Sequence, residues 1–213
     1  VLNHPIEIIH VLEPGVDRCI MPRVLMFMGA QAEASVFVST DVKNAENMFA
    51  SMLLETHLDD NAILKVTETF LDAGTGMVFN SLRSRVARNG VFSSMQLAHG
   101  KIPVRFDTKV TLAGSGAETN LAGLWITSGD EECHTNVFIE HLAPHTRSNQ
   151  LFKGVLFDHS RSSFQGKIYV HREAQKTLAY QLNNNLVLSD DAQANSKPNL
   201  EIFADDVKAS HGA

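Results

Sequence analysis

The chain has 213 residues, 44% of them hydrophobic and 20% charged, with a formal net charge of −6. Apolar residues recur from end to end, which excludes a disordered chain and supplies the core of one domain over residues 1–213. With 18 Lys and Arg against 24 Asp and Glu, no basic face is expected to neutralise phosphates, so nucleic acid is not an expected partner.

The opening Val1-Leu2-Asn3-His4-Pro5 lacks the charged and apolar regions of a secretory signal. Cys19 and Cys133 stand far apart with no C-x-x-C pair, and a reducing compartment is expected. No run approaches the roughly 18 apolar residues of a spanning helix, so no membrane partner is expected. The chain begins without Met and stops at His211-Gly212-Ala213, and so reads as the core of a longer protein.

Between Ala45 and Leu58 two periods compete. Met48, Met52 and Leu53 would line a helix, whereas Met48, Ala50, Met52 and Leu54 follow period two; the neighbouring strands favour a strand. From Ala62 onward, short β-prone runs such as Ala62-Ile63-Leu64-Lys65-Val66-Thr67, Gly166-Lys167-Ile168-Tyr169-Val170 and Asn185-Leu186-Val187-Leu188-Ser189 alternate with turn residues. The turns Gly29-Ala30-Gln31-Ala32, Asp60-Asn61-Ala62, Asn89-Gly90 and Gly116-Ala117 recur at roughly 27 to 32 residues, the period of stacked repeats. A small residue after each polar turn suits a corner leading into the next rung. Stacked rungs leave open sheet edges only at the two ends. A β-sandwich is the alternative on pattern alone. Asn183-Asn184-Asn185 reads as corner residues of such rungs.

Little chemistry is written in local motifs. Gly74-Thr75-Gly76 and Gly114-Ser115-Gly116 are too short for a phosphate loop. His141 and His145 are separated by Pro144, which argues against a helix presenting both, and adjacent Cys133 and His134 would point to opposite faces of a strand. No closed zinc pattern and no nucleophile elbow is present. Asp59-Asp60, Asp190-Asp191 and Asp205-Asp206 read as solvated turn carboxylates.

The last third is more specific. It carries His141-Leu142-Ala143-Pro144-His145-Thr146-Arg147-Ser148, Ser163-Phe164-Gln165-Gly166-Lys167-Ile168-Tyr169-Val170 and Lys197-Pro198-Asn199-Leu200-Glu201-Ile202. Ala204-Asp205-Asp206-Val207-Lys208 and Ser210-His211-Gly212-Ala213 follow. These segments resemble the SufB/SufD family of iron–sulfur cluster assembly proteins, densely over residues 130–213 and more weakly before. The SufD branch is the nearer one, because no Cys lies in Asn183–Asn185 and Gly212 stands where the SufB pattern has Glu.

The resemblance implies an all-β, right-handed parallel β-helix core and a non-catalytic scaffold. Its partners would be a SufB-like paralogue, met through the β-helix, and a SufC-like ATPase, docked through a C-terminal helical region beyond this chain. A homodimer through the open end is a further expectation. No cofactor is expected to be held stably by this chain alone; a nascent iron–sulfur cluster at the interface with SufB is. The family motif puts His211 at that interface as a participant in cluster assembly, where a neutral imidazole can ligate iron or order a persulfide; Asp206 reads either as an outer carboxylate orienting it or as a corner carboxylate capping backbone amides. Many relatives have Cys at the position of Ala209, so a second ligand on the same strand face is absent here. Gln175, Gln181 and Pro198 are assigned to rung and turn geometry. The cytoplasm, or a plastid stroma, is the expected location. Two rival readings are a β-helix carbohydrate-active enzyme built on an Asp pair and a structural solenoid with no cluster role.

Overall fold

A computed structural model describes residues 4–12, 15–42, 45–72 and 75–213. Val1-Leu2-Asn3 and Gly74 lie outside them. Every regular element among the described residues is a strand, and every strand pairing is parallel. The chain winds as a β-solenoid of about 7 turns, visiting two sheets alternately. The first sheet stacks Ile6–Leu12, Glu33–Val42, Ile63–Asp72, Val91–His99, Glu118–Thr127, Arg147–Leu156, Thr177–Val187 and Val207–Gly212. The second stacks Met48–Leu58, Gly76–Val86, Val104–Leu112, Glu132–His141, Arg161–Val170 and Gln193–Ile202, with the shorter Cys19–Ile20 and Arg23–Met28 pairing at its first edge. The ambiguous segment is thus the strand Met48–Leu58, and its strict buried–intermediate alternation follows period two.

One corner of the solenoid explains the repeat. Gln31, Asn61, Asn89, Gly116, His145 and Lys176 all take left-handed backbone, with φ of 63, 60, 54, 73, 62 and 61°. Each amide donates along the stack to a carbonyl one rung on, those of Asp60, Arg88, Ser115, Pro144, Gln175 and Asp206, at 2.6–3.2 Å. A left-handed residue turns the chain sharply and suits Asn or Gly, which hold three of these six positions. The next residue points inward: Ala62, Ala117, Thr146 and Thr177 are fully buried. The Thr146 and Thr177 hydroxyls, in consecutive rungs, are 3.0 Å apart.

The core lies between the sheets. Period two sends alternate residues inward, and the parallel register stacks them in columns. Val36, Val66, Ser94, Leu121, Gln150, Gln181 and His211 form one such column through six successive pairings of the first sheet. Aromatic residues fill the middle rungs: Phe70 meets Phe106 edge-on at 5.2 Å, and Phe152 packs on Phe164 at 5.0 Å. Each buried Phe is worth about 1.5–3 kcal/mol against exposure. The lumen also holds polar groups. Buried Glu68 accepts from Asn80 Nδ2 at 2.8 Å and Gln96 Nε2 at 2.9 Å, and desolvation pushes its carboxyl pKa upward. Asn183–Asn185 do not sit at a corner: they lie within Thr177–Val187, and Asn185 Nδ2 donates to Asn183 Oδ1 at 2.9 Å. Asn183 Nδ2 in turn donates to the Phe152 carbonyl of the neighbouring strand at 3.3 Å. Among the described residues no helix is long and apolar enough to cross a membrane.

Candidate functional site

The last strands in order are Val207–Gly212 in the first sheet and Gln193–Ile202 in the second. Among the described residues no strand pairs with the far side of either. Burial changes accordingly. Arg161–Val170 alternates buried residues, whereas Gln193–Ile202 alternates only exposed and intermediate ones. Pro198 belongs to this terminal strand, where a missing N–H is tolerated. Leu188, Ile202 and Phe203 remain exposed near the same end.

His211 stands at this opening. Val207, Ala209 and His211 pair with Thr177, Ala179 and Gln181, all of which are buried inward-facing residues. His211 therefore occupies the luminal face of the last described rung, and it is exposed there. Ala209 shares that face, as period two requires, and brings no ligand atom. Beneath His211 the column is polar. Gln181 Nε2 donates to the Asn199 carbonyl at 3.2 Å, while Gln181 Oε1 and both amide atoms of Gln150 have no hydrogen-bond partner. Gln181 is thus a luminal strand residue, whereas Gln175 sits at the corner expected of it, its Oε1 accepting from the Asp206 amide at 2.9 Å.

Asp206 lies in that corner, exposed, with its carbonyl accepting from Lys176 N at 2.6 Å. It shares no hydrogen bond or ion pair with His211, so the structure places the pair on one terminal turn without joining them. Among the described residues no group of three or more His, Cys, Asp and Glu converges to hold a metal ion.

The remaining candidates have structural surroundings. Cys133 is buried, and desolvation pushes its thiol up to about 12, which makes it a poor nucleophile; Cys19 is exposed at the other end of the second sheet. His141 is fully buried between the hydroxyls of Thr146 at 2.7 Å and Ser148 at 3.0 Å, and desolvation lowers its pKa to about 4. The acid pairs do not cluster: Asp60 is engaged by Arg88 at 2.8 Å, and Asp191 lies 3.7 Å from His159.

Neighbouring rungs do assemble one triad-like ladder that no local motif announces. His134 Nδ1 lies 2.8 Å from Ser163 Oγ, and Nε2 lies 3.1 Å from Glu132 Oε2. The nitrogens are reversed relative to a serine–histidine–acid triad, in which Nε2 takes the serine proton. The ladder lies on an outer sheet face and ties rungs together.

A family model described as "SUF system FeS cluster assembly, SufBD core domain" matches residues 11–213. An iron–sulfur cluster assembly SufBD family protein of Synechocystis is 29% identical over 204 residues, 91% of this chain and 45% of that protein. The iron–sulfur cluster assembly protein SufD of Escherichia coli is 38% identical over 122 residues, 57% of this chain and 29% of its own length. The chloroplastic protein ABCI7 of Arabidopsis thaliana is 28% identical over 196 residues, 90% of this chain and 41% of that protein. The chain spans less than half the length of these relatives. An all-parallel solenoid whose polar lumen opens at a histidine-bearing rung, matched over nearly its whole length by that model, belongs to the SufBD family of iron–sulfur cluster assembly proteins.

Proposed function

We propose that this chain is the core of a SufD-like scaffold subunit that pairs end to end with a SufB-like core and contributes His211 to a cluster assembly site at the junction. The observation that carries this reading is the place of His211 on the luminal face of the last described rung, in line with buried Gln181. The outer edges of both last strands, unpaired among the described residues, offer backbone donors and acceptors to a second solenoid, and Ile202 and Phe203 add apolar contact beside them. Neutral imidazole is a suitable ligand for iron, which is here cargo; the other ligands come from the partner. Asp206 is proposed to orient His211 once the junction closes. In this reading the chain supplies geometry rather than turnover, and a SufC-like ATPase, docked outside this core, drives the pair.

The test is co-expression with a SufB-like protein, followed by sizing and measurement of cluster maturation. A one-to-one complex is expected, weakened by Ile202→Asp with Phe203→Asp, and His211→Ala is expected to leave the complex intact while abolishing maturation. A complex indifferent to the terminal changes would move the interface elsewhere, and full maturation with His211→Ala would remove its role. Self-association of the isolated chain through the same end would identify the junction as a homodimer surface.

A further inference from the structure

The outer face of the second sheet gathers charge at a place unrelated to the terminal rung. Strands Met48–Leu58, Gly76–Val86 and Val104–Leu112 lie side by side there, so that Glu55, Arg83 and Lys109 form one outward row. His57, Arg85 and Thr111 form the adjoining row. With Leu25 and Phe27 of the edge strand Arg23–Met28, these residues line an open groove of about 310 Å³.

The charges in the groove are unevenly matched. Its one carboxylate, Glu55, is taken by Arg23, whose Nε donates to it at 2.6 Å. Arg83 is braced from behind by the Asp107 carbonyl at 2.6 Å and the Asp107 carboxylate at 3.4 Å. Lys109 lies 3.3 Å from Glu140 and 5.1 Å from the Phe138 ring. Arg85 is exposed and makes no hydrogen bond or ion pair among the described residues. Arg23, Arg83, Arg85 and Lys109 thus meet Glu55, Asp107 and Glu140, four cations against three carboxylates, and the unmatched cation is Arg85. Beside them the Phe27 and His57 rings pack at 5.9 Å, and Phe27 is 72% exposed.

We propose that this groove binds a small phosphorylated molecule: a diphosphate held by Arg85 with Arg83 and Lys109, and a flat ring resting against Phe27 and His57. A guanidinium presents a planar fork of donors that matches phosphate oxygens, and Arg85 has its whole fork available. The recognition differs from that of a phosphate loop, because side-chain cations replace backbone amides. An exposed aromatic wall adjoining the cations gives a ring-bearing ester an advantage over inorganic anion.

Calorimetric titration of the protein with sodium pyrophosphate and, separately, with ADP tests this. Both are expected to bind at one saturable site, ADP the more tightly. Arg85→Gln is expected to weaken both by about tenfold or more, the scale of one charge-assisted contact, and Lys109→Gln to weaken both. Phe27→Ala is expected to weaken ADP alone. Arg85 is exposed and unpaired, so its variant should keep the wild-type melting temperature. Failure of either probe to saturate, or binding unchanged in Arg85→Gln, would overturn the site. Equal affinity for the two probes would overturn the ring contact. None of these outcomes depends on the role of His211.

Discussion

Protonating His141 should unfold the solenoid from within. The ring is fully buried, both nitrogens face hydroxyls, and no carboxylate contacts it. Desolvation lowers its pKa from 6.5 to about 4. The unfolded chain therefore binds a proton at this residue from about pH 6.5 downward, while the folded chain resists until about pH 4. Between those limits the unfolded state carries the extra proton, so stability falls as the pH falls. The slope is about 1.4 kcal/mol per pH unit, and the accumulated loss near pH 4 is about 3 kcal/mol. That is a large fraction of a typical domain's stability. Urea unfolding of the wild type and of His141→Gln at intervals from pH 7.5 to pH 4.5 measures it. The variant is less stable at neutral pH but lacks this slope, so the two stabilities should converge as the pH drops. Parallel pH profiles, or a His141 imidazole resonance titrating near 6.5 in the folded protein, would refute the reasoning.

The same lumen holds a group of opposite sign. Glu68 has its carboxyl pKa raised by burial, so the folded state keeps a proton that the unfolded state releases above its ordinary value of 4.5. That contribution is present in acid and fades as the pH rises through the folded pKa, and Glu68→Gln should flatten it in the same urea series. Gly154 tests the packing: an added Cβ would lie 2.2 Å from Trp125 Nε1 and 2.5 Å from Asn185 Oδ1. Gly154→Ala is expected to cost about 1–3 kcal/mol, read from the emission of Trp125, the one tryptophan in the chain.

How much of this was legible in advance divides along physical lines. A solenoid repeats one local problem, turning a corner and pointing a small residue inward, and local problems leave local marks. Asp60-Asn61-Ala62 and Asn89-Gly90 mark the same corner in successive rungs because left-handed backbone favours Asn and Gly. Met48, Ala50, Met52 and Leu54 declare a strand because burial on one face has period two. The later rungs of that corner, at His145 and Lys176, pass unnoticed because their residue types carry no turn preference.

What the residues by themselves determined is therefore the rung: its length, its corner, its inward set and, through the motif ending in His211-Gly212-Ala213, the family. Which residues meet across rungs was decided only by the stacking. Parallel pairing brings together positions roughly 30 residues apart with an offset that each corner sets, and a one-residue change in that offset would reverse the faces. Register puts Gln181 beneath His211, brings His134 to Ser163 and gathers Arg83, Arg85 and Lys109 in one groove. The exposure of His211 is likewise a tertiary fact. The equivalent inward-facing position one rung earlier, Gln181, is buried, whereas His211, with no described strand on its far side, is exposed.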